Sequence, residues 1–504
     1  MTPFHQFRLW LRRGPAPERV AAAVATAVFV ALVAWALVPV RDGASTSVSA
    51  GADAVASQAE GSGETTTADE ATGAASEAPA SGTSAANPTA GANAAKPVGA
   101  AGTSTNACAG LRPTDQGVTG SEILVVLSII NLTAVGNQAV GLRSPDDINA
   151  AAQAVVNGIN SEGGAACRKI RLKSYTVSPV DSNDQRSKCL QIQADKPFAV
   201  ADFGGFYTPA ARTCIAAAKI PLVGSSLDEE EMNKSYPYLF SVNSSSESAA
   251  RNWVYESAAR GTFDPARGFR KLGLLLNECS PSVNAQLTSD LGKVGVGRDR
   301  VSTFTASCAI SPPSQLSQAV LQFRGDGVTH VLVAASGPNS QTFVRQADAS
   351  RWKPTYLASD FTGVTSPTLA NGWPDGFDGA VAITGSHTGE RNSGITNDLV
   401  NRCNDWMRRA KVPPSETEQD IVPTNLCDTL RFLTTAVNGV GPNLTRVALV
   451  DGLRRAGRFQ TAAYGDGIFD RARKTSGGDY IRSIRWQLSC KCWKIIDRDV
   501  KRGR

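Results

Sequence analysis

Histidine is nearly absent: His5, His330 and His387 are the only three in 504 residues. No CxxC pair occurs, so tetrahedral Cys/His zinc coordination has almost no material to work with. The chain also lacks an HExxH segment, a GxSxG elbow and a P-loop, and no histidine has a credible nucleophile partner. Together these absences argue against an enzyme, and no cofactor or metal is implied. Paired acids do occur at 228–231, but an acidic run beside polar residues reads as a solvated helix face. No Lys/Arg-rich run interleaves with aromatics, so the net charge of +6 points to no nucleic-acid partner.

Two N-terminal stretches are poor in what a core needs. Residues 41–106 contain no aromatic, Leu, Ile or Met and carry seven acidic against two basic side chains. Nothing there offsets the entropy of ordering, so this Ala/Gly/Ser/Thr tract is expected to be a disordered linker; a glycosylated stalk or a wall-spanning tether has the same composition. Residues 20–40 lack any charge and form an apolar run of 21 residues, enough at 1.5 Å each to cross roughly 30 Å of hydrocarbon. Arg8, Arg12, Arg13 and Arg19 precede it, which places residues 1–19 in the cytoplasm and everything after residue 40 outside. The expectation is a single-pass transmembrane helix in the cell membrane. A cleaved secretory signal peptide is the alternative, and the length of the run and the lack of a Cys just after it favour the anchor.

Cysteine is missing before residue 108, and all ten fall at 108, 167, 189, 214, 279, 308, 403, 427, 490 and 492. An even count confined to the outside part suits an oxidising compartment. Spacing does not fix connectivity; sequential pairing is the expectation, Cys108 with Cys167, Cys189 with Cys214, Cys279 with Cys308, Cys403 with Cys427 and Cys490 with Cys492. The closing CxC is either a structural disulfide or a redox or metal-binding pair, and the structural reading is preferred.

From residue 121 onward short β-branched runs alternate with helical patterns, the signature of βα units feeding parallel sheets. The first strand is Glu122–Ile130, and the next helix starts with Ser144 as N-cap, Pro145 at its first position and Asp147 three residues after the cap. Strands at 170–177, 198–203, 221–224 and 238–243 alternate with helices at 184–194 and 209–219. A second series has strands at 271–277, 301–305, 330–335 and 355–359 and helices at 282–293, 314–324 and 339–349. Two such series imply two similar α/β lobes, with ligands at the C-terminal ends of the strands.

The segments NGINSEGG (157–164), DFGGFYTPAARTCIAAAKIPLVGSS (202–226), YPYLFSVNSS (236–245), KLGLLLNECSPSV (271–283), VTHVLVAASGPNSQTFVRQA (328–347) and YLASDFTG (356–363) occur in an order that resembles the type I periplasmic solute-binding proteins. The likeness is in particular to the branched-chain amino-acid-binding (Leu/Ile/Val-binding-like) group of ABC transporters, in which DTLRFLTTAV (428–437) and 465–488 stand for the closing helix and terminal strands. The resemblance implies an α/β fold of two Rossmann-like lobes with parallel central sheets, joined by three crossing strands near Asn243, after Asp360 and near Tyr464. Lobe 1 is then 108–242 with about 366–463, lobe 2 is 243–365 with about 464–497, and 498–504 is a solvated basic tail. It also favours the Cys189–Cys214 disulfide and implies an ABC permease as partner.

On local sequence the Gly204-Gly205 turn before Thr208-Pro209 is either an ordinary βα turn or a cradle whose free N–H groups hold a carboxylate. The resemblance selects the cradle, with Gly205, Phe206, Tyr207 and Thr208 as first contacts and Ser225 and Ser226 as hydroxyl donors. Lobe 2 offers Ser280, Ser282, Ser336, Asn339 and Asp360 at matching strand ends, and Asp360 either pairs with a ligand ammonium or caps the following turn. The family's aromatic contacts are replaced by small residues in ASGPN and NECSPSV, so the expected ligand is small, polar and amino-acid-like rather than a defined amino acid. The competing expectation is a sensory or scaffolding envelope domain with a degenerate pocket that binds a protein or wall component.

Overall fold

A computed structural model describes residues 108, 110–132, 136, 137, 140–206, 208–224, 227–308, 310–470, 473–498 and 500–503. The expected membrane helix at 20–40 and linker at 41–106 lie outside the described residues; within them no helix is long and apolar enough to cross a membrane.

The first lobe is a parallel sheet of five strands in the order β2-β1-β3-β4-β5. These are β1 Glu122–Ile130, β2 Lys169–Val177, β3 Ala199–Phe203, β4 Leu222–Gly224 and β5 Leu239–Ser241. The expected cap at Ser144 is present: its hydroxyl oxygen accepts from the Asp147 amide at 3.1 Å and opens α1, Pro145–Ser161. One face of the sheet is covered by α1 and by α9 (Asp398–Arg409), α10 (Val422–Val440) and α11 (Arg446–Arg454). The other face carries α2 (Ser182–Asp195) and α3 (Pro209–Ala217), with α4 (Glu229–Lys234) close by.

The second lobe is built on β6 Leu272–Asn277, β7 Val301–Ala306, β8 His330–Val333, β9 Thr355–Ser359 and β10 Val381–Thr384, all parallel, extended by antiparallel β13 Tyr480–Gln487 and β14 Cys492–Ile495. Helices α5 (Ser246–Ala259) and α6 (Pro281–Lys293) cover one face, and α7 (Pro313–Gly325) and α8 (Gly337–Ala349) the other. The second face is an aromatic cluster in which Trp373 stacks on Phe377 at 3.8 Å between ring centres, with Trp486 and Trp493 beside them. All ten cysteines form the five expected sequential disulfides.

Several expected boundaries move. Strand β10 pairs with β9 and β13, and Trp373 and Phe377 lie in the second core, so residues 366–384 belong to lobe 2 rather than lobe 1. The second crossing therefore follows Thr384 rather than Asp360. The hairpin of β11 (Gly457–Phe459) and β12 (Gly467–Phe469) still packs on lobe 1 through Phe432, so the third crossing comes after Phe469 rather than near Tyr464. The tail at 498–504 is not simply solvated: β15 (Lys501–Arg502) pairs with Tyr480 and Ile481 of β13. Nor is 228–231 a wholly solvated face, because Glu231 is buried and holds the Arg212 guanidinium through both oxygens, at 2.6 and 2.5 Å.

The crossings converge on glycines. A Cβ on Gly465 would lie 1.7 Å from the Gly385 carbonyl oxygen, and one on Gly478 would lie 2.5 Å from the Ser244 amide. Only hydrogen fits between three backbones this close. Gly465→Ala should therefore destabilise the protein by about 2–4 kcal/mol in urea denaturation, through a backbone clash that cannot relax as a side chain would; a change below about 0.5 kcal/mol would mean that the crossings are not packed as described.

Candidate functional site

Where the crossings meet, a cavity of about 240 Å³ opens between the lobes. Lobe 2 contributes Asp360, Thr365, Ser366 and Pro367; lobe 1 contributes Val400, Ile421, Thr424, Asn425 and, from its hairpin loop, Tyr464; the crossings add Asn243 and His387. The wall thus mixes apolar carbons with hydroxyls and amides, which suits a compact ligand with a few polar groups.

Buried carboxylates fasten the cavity's floor. Asp428, fully buried in α10, accepts from the amides of Ala462 at 2.6 Å, Ala463 at 2.8 Å and Tyr464 at 3.2 Å, shaping the turn that ends at Tyr464. Asp360 accepts from Thr384 Oγ1 at 2.9 Å, the Gly385 amide at 2.6 Å and the Thr365 hydroxyl, tying the second crossing to lobe 2. Glu418 accepts from the Gly389 amide and from the Asn392 amide at 3.2 Å, tying that crossing to lobe 1. His387 sits between them, with Nδ1 2.9 Å from Glu390 and Nε2 3.2 Å from Asp466, while Arg482 meets Glu390 at 2.7 Å.

Burial sets the protonation of these groups. It raises Asp360 and Asp428 above the usual carboxylate range although the hydrogen bonds oppose it. Burial pushes Glu418 up to about 7 against the amides of Gly389 and Asn392 and the charge of Arg391. For His387 burial acts downward, but its charged partners Asp466 and Glu390 outweigh it and hold the imidazole at about 9.

Among the described expected contacts, only Asp360 lines this cavity. Its carboxylate is committed to the second crossing, so the expected ion pair with a ligand ammonium has to compete with internal donors. The cradle at 204–208 is also spoken for. Phe206 is fully buried in the core of lobe 1 rather than facing the cleft, its amide donating to Asp202 at 3.0 Å and its carbonyl accepting from Arg212 at 2.7 Å. An added Cβ on Gly205 would lie 3.0 Å from Ser128, so this glycine serves close packing within the lobe. The Thr208 amide and hydroxyl both donate to Gln185, at 3.1 and 2.8 Å, and Pro209 has no amide to offer, so the expected free N–H groups at this helix start are largely consumed. Asn339 is buried, accepting from the Ser311 amide at 2.8 Å and donating to Ser307, and so pins a loop. Ser280 and Ser336 hold the N-cap positions of helices α6 and α8 without a side-chain capping bond, and neither they nor Ser282 line the cavity. Tyr207, Ser225 and Ser226 lie outside the described residues.

Sequence reasoning passed over Asn425, His387 and the clamps Glu418 and Asp428. Asp428 left a trace, an acid inside an otherwise apolar buried helix, which demands local donors. Asp428→Ala should cost about 3 kcal/mol or more in chemical denaturation, because three buried amides lose their acceptor. The pH dependence carries a definite sign. Both pKa values are raised in the folded state, so each contributes stability at low pH that is lost as the pH rises. The Glu418 contribution is complete below its ordinary 4.5 and lost through about 7; that of His387 is complete below 6.5 and lost through about 9. Glu418→Gln should flatten the stability profile between 4.5 and 7 while the fall toward 9 persists, and an unchanged profile would contradict the assignment.

The chain matches the periplasmic binding protein family over residues 143–482. No curated protein matches it in sequence. Among solved structures it is similar to a fatty acid ABC transporter substrate-binding protein from Thermomonospora curvata, with 15% identity, a TM-score of 0.59 and coverage of 78% of this chain and 96% of that one. It is also similar to an ABC transporter substrate-binding protein from Desulfitobacterium hafniense in complex with Leu, with 14% identity, a TM-score of 0.54 and coverage of 75% and 100%. A solute-binding protein from Rhodopseudomonas palustris BisB5 in complex with 3,4-dihydroxybenzoic acid shows 14% identity, a TM-score of 0.57 and coverage of 76% and 98%. At this identity the likenesses speak for the fold, and with the family match spanning both lobes they lead to one conclusion: this chain belongs to the periplasmic binding protein family.

Proposed function

We propose that the chain is an extracytoplasmic substrate-binding protein that captures a small, polar, amino-acid-like ligand between its lobes and presents it to the permease of an ABC importer. The observation that carries this reading is the cavity of about 240 Å³ walled by both lobes and by the crossings, a place where lobe closure and ligand contact are the same event. Its volume lies below the range typical of drug-sized ligands, roughly 300–1,000 Å³, which favours something as small as an amino acid or an aromatic acid. The D. hafniense and R. palustris structures hold ligands of that size. In this reading the run at 20–40 is a retained anchor, the tract at 41–106 gives the binding domain reach, and the protein performs no catalysis.

The internal commitments of Asp360, Thr208 and Asn339 support a second reading, in which the pocket is degenerate and the domain senses or scaffolds. One experiment separates them. Thermal unfolding of the protein against a library of small acids, amines and amino acids should show a saturable rise in Tm with at least one compound, abolished or weakened about tenfold by Ala463→Leu, which fills the cavity. A flat response across the library favours the degenerate pocket.

A further inference from the structure

A second cavity, of about 510 Å³, shares no lining residue with the one between the crossings. It is walled by α4 of lobe 1, by Ser248, Arg251 and Asn252 of α5 in lobe 2, by the third crossing from Arg473 to Asp479, and by Arg502 and Gly503 of the tail. The tail is held there by structure rather than chance: β15 pairs with β13, the Gly503 amide donates to the Asp479 carbonyl at 2.7 Å, and the Lys501 ammonium meets Glu256 at 3.0 Å.

The charges lining this cavity are unevenly committed. Its acids, Glu229, Asp470 and Asp479, are engaged by the protein: Glu229 accepts from Ser245 at 2.8 Å, Asp479 accepts from the Ile468 amide at 2.7 Å and pairs with Lys474, and Asp470 also has a partner. Two of its arginines are not, whereas Arg251 forms an ion pair with Glu229 at 3.6 Å. Arg473 lies over the Tyr236 ring at 5.9 Å, and among the described residues neither Arg473 nor Arg502 has a carboxylate within ion-pair distance. Arg473 and Arg502 line one polar cavity whose carboxylates already have partners, and a guanidinium offers N–H donors in a planar fork that matches a tetrahedral oxyanion.

We propose that this cavity binds a phosphate-type oxyanion, either free phosphate or the phosphate of a small monoester, with Arg473 and Arg502 as its cationic contacts and Ser248 as a neutral donor. A dianion satisfies more of these donors than chloride or a single carboxylate does, and it is compatible with acids that already have partners. The inference stands apart from the ligand of the interlobe cavity, since the residues and the chemistry differ.

The test is isothermal titration of the full chain in detergent near pH 7, where a phosphate monoester carries roughly 1.5–2 negative charges, with inorganic phosphate and with glycerol phosphate at matched ionic strength against chloride. Saturable one-site binding of either is expected; preference for the ester identifies a phosphorylated metabolite and preference for phosphate the free ion. Arg473→Gln and Arg502→Gln should each weaken binding roughly tenfold. Arg473→Lys should retain part of the affinity, and Arg186→Gln on the remote, exposed face of α2 should change nothing. Arg473 lies outside any strand, so its variant stays informative if Arg502→Gln loosens the tail. Heats equal to those of chloride, or equal losses at Arg186 and Arg473, would overturn the proposal.

Discussion

Carboxylates that grip backbone amides at the second crossing and in the hairpin before the third are the constraint on which the rest of this structure depends. A crossing strand leaves one sheet before it has joined another, so its N–H groups lack ladder partners while still buried. Asp428 satisfies three consecutive amides, Asp360 holds Gly385, and Glu418 holds Gly389 and Asn392. Asp360 and Glu418 fasten the second crossing to both lobes, Asp428 shapes the lobe 1 hairpin that leads into the third, and the glycines at 385, 465 and 478 let these backbones touch. The cavity is the space left between clamped backbones, so its shape follows from the clamps.

The same arrangement accounts for the electrostatics. Carboxylates packed this deep would ordinarily be neutral, and burial does raise them, yet each is surrounded by donors that favour the charged form. His387 stays cationic between Glu390 and Asp466, bridging the second crossing and the hairpin that precedes the third.

What the amino-acid sequence disclosed was mostly local. The Ser144 cap, the first β-strand and the alternation of strands and helices follow from periodicity and capping within a few residues, and they hold. The disulfides followed the simplest sequential rule. Helix Ser246–Ala259 was passed over because Glu247, Asn252 and Glu256 are buried along it and blur its apolar stripe. The lobe to which 366–384 belongs was not legible, since a four-residue strand among short 3₁₀ turns carries little pattern of its own. The site was least legible of all. A strand end followed by glycines and a helix cap reads alike whether its amides face a ligand or, as at 204–208, an internal Asp202 and Gln185. Asp428 and its amides lie 34 to 36 residues apart, beyond any periodic signal.

The central claim is that a ligand occupies the cavity between the crossings. A crystal structure of the protein with a ligand bound tests it most directly. Density enclosed by Thr365, Asn425 and Tyr464 is expected, with Asp428 still holding its turn. Density seated instead on the 204–208 turn, or lobes closed on an empty cavity, would contradict it.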